Sequence, residues 1–155
     1  MTGRALDVLI VEDEMLLAIE LEHLVEEVGC HSLGCAMSSE EAVDLAKKLN
    51  PDLALVDVHL SDGPTGVEVA RKISSDCGGV ALFMTANVKR LPDDFAGACG
   101  VIGKPYSEHV VKSAIAYLRT CLRDDHAPGL PPVGLALAPA YAELWGLTDL
   151  TPKSA

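Results

Sequence analysis

Leu53-Ala54-Leu55-Val56-Asp57 is an unbroken apolar run closed by a carboxylate. Such a run, followed by a polar, glycine-rich stretch from His59 to Thr65, is the pattern of a strand buried on both faces. The pattern recurs on either side of it. Asp7–Val11 reads as strand one, His31–Ala36 as a weaker second strand, Val80–Met84 as the fourth and Val101-Ile102-Gly103 as a short fifth. Helix-period segments fall between them. Glu14 to Val28 carries Leu17, Leu21, Leu24 and Val28 on one stripe and is stopped by Gly29. Ser38-Ser39-Glu40-Glu41 is a capping box that opens helix two, which ends near Asn50-Pro51. Helix three covers about Gly66 to Ser75. The stretch after Thr85 is the least regular: Leu91-Pro92-Asp93-Asp94 predicts a short fourth helix, cut off by Gly97 and Gly100. Ser107 caps a clear fifth helix with Val111, Ile115, Leu118 and Leu122 in register. Strands alternating with helices predict an α/β fold with a parallel sheet.

A chain of 155 residues has room for one such domain, here residues 1–122. Residues 123–134 read as a linker rich in proline and glycine. Residues 135–155 form an apolar extension with room for a short helix, carrying Trp145, the only tryptophan. Leu135, Leu137, Leu144 and Trp145 are expected to find a surface. The candidates are the face formed by helix four, strand five and helix five, or a second copy of the chain in a homodimer. Too few residues follow Leu122 for an output module of normal size.

The net charge of −11 repels phosphate backbones and argues against nucleic acid as a partner. No apolar stretch approaches the roughly 18 residues of a membrane span. The run Val8-Leu9-Ile10-Val11 is too short for a signal peptide and ends in Glu12-Asp13-Glu14. Cys30, Cys35, Cys77, Cys99 and Cys121 are odd in number, with no C-x-x-C pair; four of them sit among apolar or small residues and read as packing thiols of a reducing cytoplasm, with a redox role for Cys30 and Cys35 as the alternative.

Ligands of a doubly wound parallel sheet bind beyond the carboxyl ends of its strands. Glu12 and Asp13 follow strand one, Asp57 ends strand three, Thr85 follows strand four and Lys104-Pro105 follows strand five. Three crowded carboxylates call for a cation, and an oxygen-only donor set that retains waters suits Mg²⁺. Phosphoryl transfer needs in-line positioning and charge neutralisation. Asp57 is then the nucleophile that forms an acyl phosphate, with Lys104 and Thr85 for its phosphoryl oxygens.

The runs Ile-Val-Glu12-Asp13-Glu, Leu-Val-Asp57-Val, Phe-Met-Thr85-Ala and Gly-Lys104-Pro105 together resemble the receiver domains of two-component response regulators. The resemblance spans about residues 5–122. It implies a flavodoxin-like, doubly wound sheet of five parallel strands in the order 2-1-3-4-5, with helices on both faces. It implies Mg²⁺ held by Asp13, Asp57 and the backbone carbonyl of His59, with Glu12 acting through water. Thr85, Ala86 and Lys104 would meet the phosphoryl group, and the Lys104–Pro105 bond would be cis. A histidine kinase or histidine phosphotransfer protein would be the donor. Output would pass to an unknown downstream protein, or the domain would drain phosphoryl groups from a branched pathway. The loop Asp57 to Gly66 is similar to receivers of the alphaproteobacterial stress-signalling, single-domain type.

Simpler readings stand beside these. Glu12 and Asp13 suit a helix N-terminus, but that leaves Asp57 an unpaired charge on a buried strand. The side chains of His59 and Asn87 face the mouth of the site as candidate modulators, or are plain surface residues. His23, His31, His109 and His126 show no ligand spacing. Gly63 and Gly66 read as turn makers. A phosphatase or nucleotide-binding enzyme on the same fold is the alternative. Against it, His59 stands where a second aspartate would be needed, and no glycine-rich loop follows strand one. No enzymatic activity beyond the domain's own phosphorylation and dephosphorylation is expected. One departure from the family is Val101, where most receivers carry a tyrosine or phenylalanine.

Overall fold

The computed structural model describes residues 5–147. In chain order it contains β1 (Asp7–Val11), α1 (Met15–Glu27), β2 (His31–Ala36), α2 (Ser39–Leu49), β3 (Leu53–Asp57), α3 (Gly66–Asp76), β4 (Val80–Thr85), β5 (Gly100–Gly103), α4 (Glu108–Asp124), β6 (Leu135–Leu137) and α5 (Pro139–Leu144). The sheet order is β2-β1-β3-β4-β5-β6. The first five strands are parallel, in the expected order, and β6 runs antiparallel on β5.

Alternation along the strands fills two cores. Val8, Ile10, Leu55, Leu82 and Ile102 point to the face covered by α1 and α4, while Leu9, Val11, Val56, Phe83 and Val101 point to the face covered by α2 and α3. Both faces are buried, which is why these strands carry apolar residues without a break. On α1 the buried stripe is Ala18, Leu21, Leu24 and Val25. The expected stripe is thus rotated: Leu17 and Val28 are only half-buried, and Met15, Leu16 and Ile19 are exposed. Ser38 caps α2 by accepting from the Glu41 N–H at 3.2 Å, and the Glu41 carboxylate reaches back to the Met37 N–H at 2.8 Å.

The expected fourth helix is not formed. Between β4 and β5 the chain makes two 3-10 turns, Val88–Arg90 and Phe95–Gly97. Phe95, Ala96 and Gly97 have φ of 54°, 51° and 82°, in the left-handed region. Pro92 removes a backbone donor, and the Asp94 side chain accepts from the Ala96 N–H at 2.9 Å, a local bond that competes with helix. The helix after Ser107 is therefore the fourth α-helix, α4.

The expected linker also shifts, because α4 continues to Asp124. The extension takes the open edge of β5. Gly100 pairs with Leu137, Val101 with Ala136 and Ile102 with Leu135. A Cβ on Gly100 would stand 2.4 Å from the Ala136 carbonyl oxygen, so glycine is what lets β6 approach. Trp145 is 1% exposed in the α1–α4 core, and its carbonyl accepts from the Ala127 N–H at 3.0 Å. Leu135 and Leu137 are buried with it, whereas Leu144 is exposed. The end of the expected extension, residues 148–155, lies outside the described residues. Among the described residues no helix is long and apolar enough to cross a membrane.

Candidate functional site

Parallel register brings the strand ends together. Val11 pairs with Val56, Asp57 with Met84 and Thr85 with Gly103, so the residues that follow each strand meet at one edge of the sheet. The Lys104 N–H donates to the Thr85 carbonyl at 2.8 Å, and the Lys104–Pro105 peptide bond is cis. Lys104 Nζ lies 3.1 Å from Asp57 Oδ2 and 3.1 Å from Glu12 Oε1. Oxygens of Glu12, Asp13 and Asp57 all lie within 4.8 Å of one another.

Glu12 is 2% exposed. Burial pushes its pKa up, the Glu14 N–H at 3.0 Å opposes that, Asp57 adds to it and Lys104 opposes it. Burial alone would lower the Lys104 pKa, but its bonds to Asp57 and Glu12 outweigh this and the pKa is raised. Lys104 therefore stays a cation facing two carboxylates. Tyr106 packs nearby, and burial pushes its hydroxyl up to about 12. That oxygen is buried with no partner among the described residues.

The loop from β3 to α3 is held closely. The His59 N–H donates to Asp57 Oδ1 at 3.2 Å, and the Gly66 N–H to the Val58 carbonyl at 2.9 Å. A Cβ on Gly66 would stand 2.2 Å from the Asp57 carbonyl oxygen and 2.6 Å from Val58 Cα. Gly66 is thus more than a turn maker, since its bare backbone lets α3 start against the strand end that carries Asp57. Asp62 accepts from the Ser39 hydroxyl at 2.5 Å and the Thr65 hydroxyl at 2.7 Å, which holds its carboxyl below the usual aspartate range.

Thr85 is buried, and its Oγ1 accepts from the Asn87 N–H at 3.1 Å. Ala86, Asn87 and His59 are exposed beside it. Val58, His59, Pro64, Val67, Thr85, Asn87, Arg90 and Leu91 line a cavity of about 220 Å³ next to the Asp57 edge. The structure thus brings Glu12, Asp13, Asp57 and Lys104 together, with Thr85 on the adjoining strand end. His23, His31, His109 and His126 are exposed. Sequence reasoning missed Gly66, Asp62 and Arg90. A D-G-x-x-G spacing just after the acidic strand end was the available signal for the first two; nothing marked Arg90.

Residues 8–116 match the response regulator receiver domain family. The chain belongs to that family. The phyllosphere-induced regulator PhyR of Methylorubrum extorquens is 33% identical over 72% of this chain and 43% of that protein. PdtaR, a transcriptional regulatory protein of Mycobacterium tuberculosis, is 35% identical over 64% of this chain and 50% of its own length. The receiver thus spans about half the length of the curated relatives it matches. Among solved structures, the receiver domain of PhyR from Erythrobacter litoralis superposes with a TM-score of 0.65, covering 84% of this chain and 98% of that one at 27% identity. A structure of the PhyR stress response regulator gives 0.61 at 28% identity, over 79% of this chain and 47% of that one.

Proposed function

We propose that this receiver is a phosphorylation switch that accepts a phosphoryl group on Asp57 from a phosphohistidine. The observation that carries the reading is Lys104 Nζ, 3.1 Å from both Asp57 and Glu12, beside three carboxylates whose oxygens lie within 4.8 Å. An Asp57 oxygen attacks phosphorus, the P–N bond of the donor breaks, and its electron pair returns to the imidazole. Lys104 then exchanges a carboxylate contact for a phosphoryl oxygen. Thr85 turns its hydroxyl to another, with the Ala86 backbone beside it.

The donor set fits Mg²⁺. Asp13 and Asp57 would hold the ion, with the His59 carbonyl as a third ligand and Glu12 reached through water, the set that receiver domains imply; the crowded oxygens of Glu12, Asp13 and Asp57 suit such a hard cation. When bound, Mg²⁺ supplies positive charge that offsets the incoming phosphoryl group. The donor is a histidine kinase or histidine phosphotransfer protein of the cytoplasm, and no activity on a separate substrate is proposed. Output passes by protein contact, or the domain serves as a phosphate sink. Val101, 2% exposed and paired with Ala136, has no ring to swing, so the signal travels through Thr85 and the turns that follow it.

Incubation with a small phosphodonor and Mg²⁺ should add one acid-stable, base-labile phosphoryl group, and Asp57→Asn should abolish it. Stoichiometric label on that variant would overturn the assignment.

A further inference from the structure

The geometry points to Arg90 as a second cation for the phosphoryl group on Asp57, carried to it by the 3-10 turn that follows β4. The inference rests on the phosphoacceptor reading above and adds a residue to it. Four arginines lie in the described part of the chain. Arg71 is paired with Asp94 at 3.1 Å, Arg123 with Asp124 at 2.9 Å, and Arg119 donates to the Val28 carbonyl. Among the described residues the Arg90 guanidinium has no acceptor, in a chain of net charge −11. An unpaired guanidinium in such a field is a donor group without its anion.

Its position says which anion. Arg90 lines the 220 Å³ cavity together with Thr85 and His59. These two flank the acceptor: Thr85 ends the neighbouring strand, and the His59 N–H donates to Asp57 Oδ1 at 3.2 Å. Val58, Val67 and Leu91 form the apolar part of the lining, and the polar part is His59, Thr85, Asn87 and Arg90. A path of motion is also built in. The Thr85 hydroxyl accepts from the Asn87 N–H at 3.1 Å, and the Asn87 carbonyl accepts from the Arg90 N–H at 3.1 Å. When Thr85 turns toward a phosphoryl oxygen, the turn Val88–Arg90 is drawn with it and the guanidinium swings across the cavity. A planar fork suits two phosphoryl oxygens where Lys104 offers one point charge.

The test uses the full chain with excess Mg²⁺ and beryllium trifluoride as the phosphoryl mimic, read by calorimetry or NMR. Arg90→Gln should weaken the mimic by about ten-fold, as expected for loss of a charge-assisted bond. Arg90→Lys should fall between the two. Lys89→Gln removes one charge from the same turn, at a residue outside the cavity wall, and should change affinity by less than about two-fold. Melting without the mimic should be the same in all three variants, since these side chains are exposed. If Arg90→Gln binds as wild type does, or only as weakly as Lys89→Gln, the role is overturned. If wild type neither binds the mimic nor takes label on Asp57, it is the phosphoacceptor reading that fails.

Discussion

The two loops that flank Asp57 are built in opposite ways. Residues 58–66 are pinned on every side: Leu60 and Gly63 exchange backbone hydrogen bonds at 2.8 and 3.0 Å, the Ser61 N–H reaches the Met37 carbonyl, and Gly66 lies against the Asp57 backbone. Residues 86–99 have no regular element longer than three residues, and Ala86 to Arg90 are exposed throughout. One wall of the site thus holds the acceptor still while the other is free to respond. A switch needs that asymmetry: a fixed nucleophile for in-line attack, and a segment of low local stability to register the product.

Perturbing each side should separate them. The largest effect belongs to the extension, which closes the α1–α4 core away from both loops. Trp145→Ala should cost about 4 kcal/mol in denaturant unfolding, because it empties a buried site where β6 and α5 close the core. A cost below about 1 kcal/mol would mean that the extension is an ornament rather than part of the domain. Next comes Gly66→Ala, which forces a methyl against the Asp57 carbonyl and should cost about 3 kcal/mol. It should also slow labelling of Asp57 more than Trp145→Ala does, since it displaces the acceptor itself. Equal labelling rates would dissolve the distinction between the walls.

Amide exchange reads the contrast without a mutation. The exposed residues 86–90 should open with free energies of about 2 kcal/mol or less, and residues 60–66 with clearly more. Phosphorylation should narrow the gap from the side that follows Thr85 only.

Acid should give the smallest effect. Each loop is tied by an aspartate, Asp62 through the Ser39 and Thr65 hydroxyls and Asp94 through Arg71, and both carboxyls are held below the ordinary aspartate value of 3.8. The native chain therefore binds fewer protons than the unfolded one there, so this stability is complete above that value and is lost as pH falls through the native pKa. Asp62→Asn should remove the acid-dependent loosening of residues 58–66 and leave that of 86–99 unchanged. NMR titration below pH 4 would show it.

The sequence revealed the pinned side more fully than the free one. An unbroken Leu53–Val56 followed by Asp57 has one physical explanation, a strand buried on both faces with its charge at the end. The parallel sheet followed from the alternation around it, and the strand order from the resemblance to receiver domains. Lys104-Pro105 and Glu12-Asp13 were readable because charged residues directly after apolar runs are costly unless they meet. The stretch 86–99 was misread because Leu91-Pro92-Asp93-Asp94 resembles a helix start, and only tertiary packing decides whether a helix follows. Ala96, with φ 51°, carries no local sign of its conformation. Arg90 was invisible for the same reason, since its meaning depends on which cavity the turn faces. The tail was legible as apolar but not as a strand, because Leu135-Ala136-Leu137 is too short to declare itself before an open edge is known to await it.

That open edge bears on how the chain is made. The outer edge of Gly100–Gly103 has no strand partner until Leu135–Leu137 docks on it. A fragment cut at Asp124 would hold every strand of the ordinary receiver and still present that edge, with the site of Trp145 empty beneath it. Unpaired edges recruit other chains, so such a fragment should gather into aggregates at concentrations where the whole chain stays dispersed. The last thirteen described residues act as an intramolecular guard, and where the receiver can safely end is set by β6 and α5 rather than by α4.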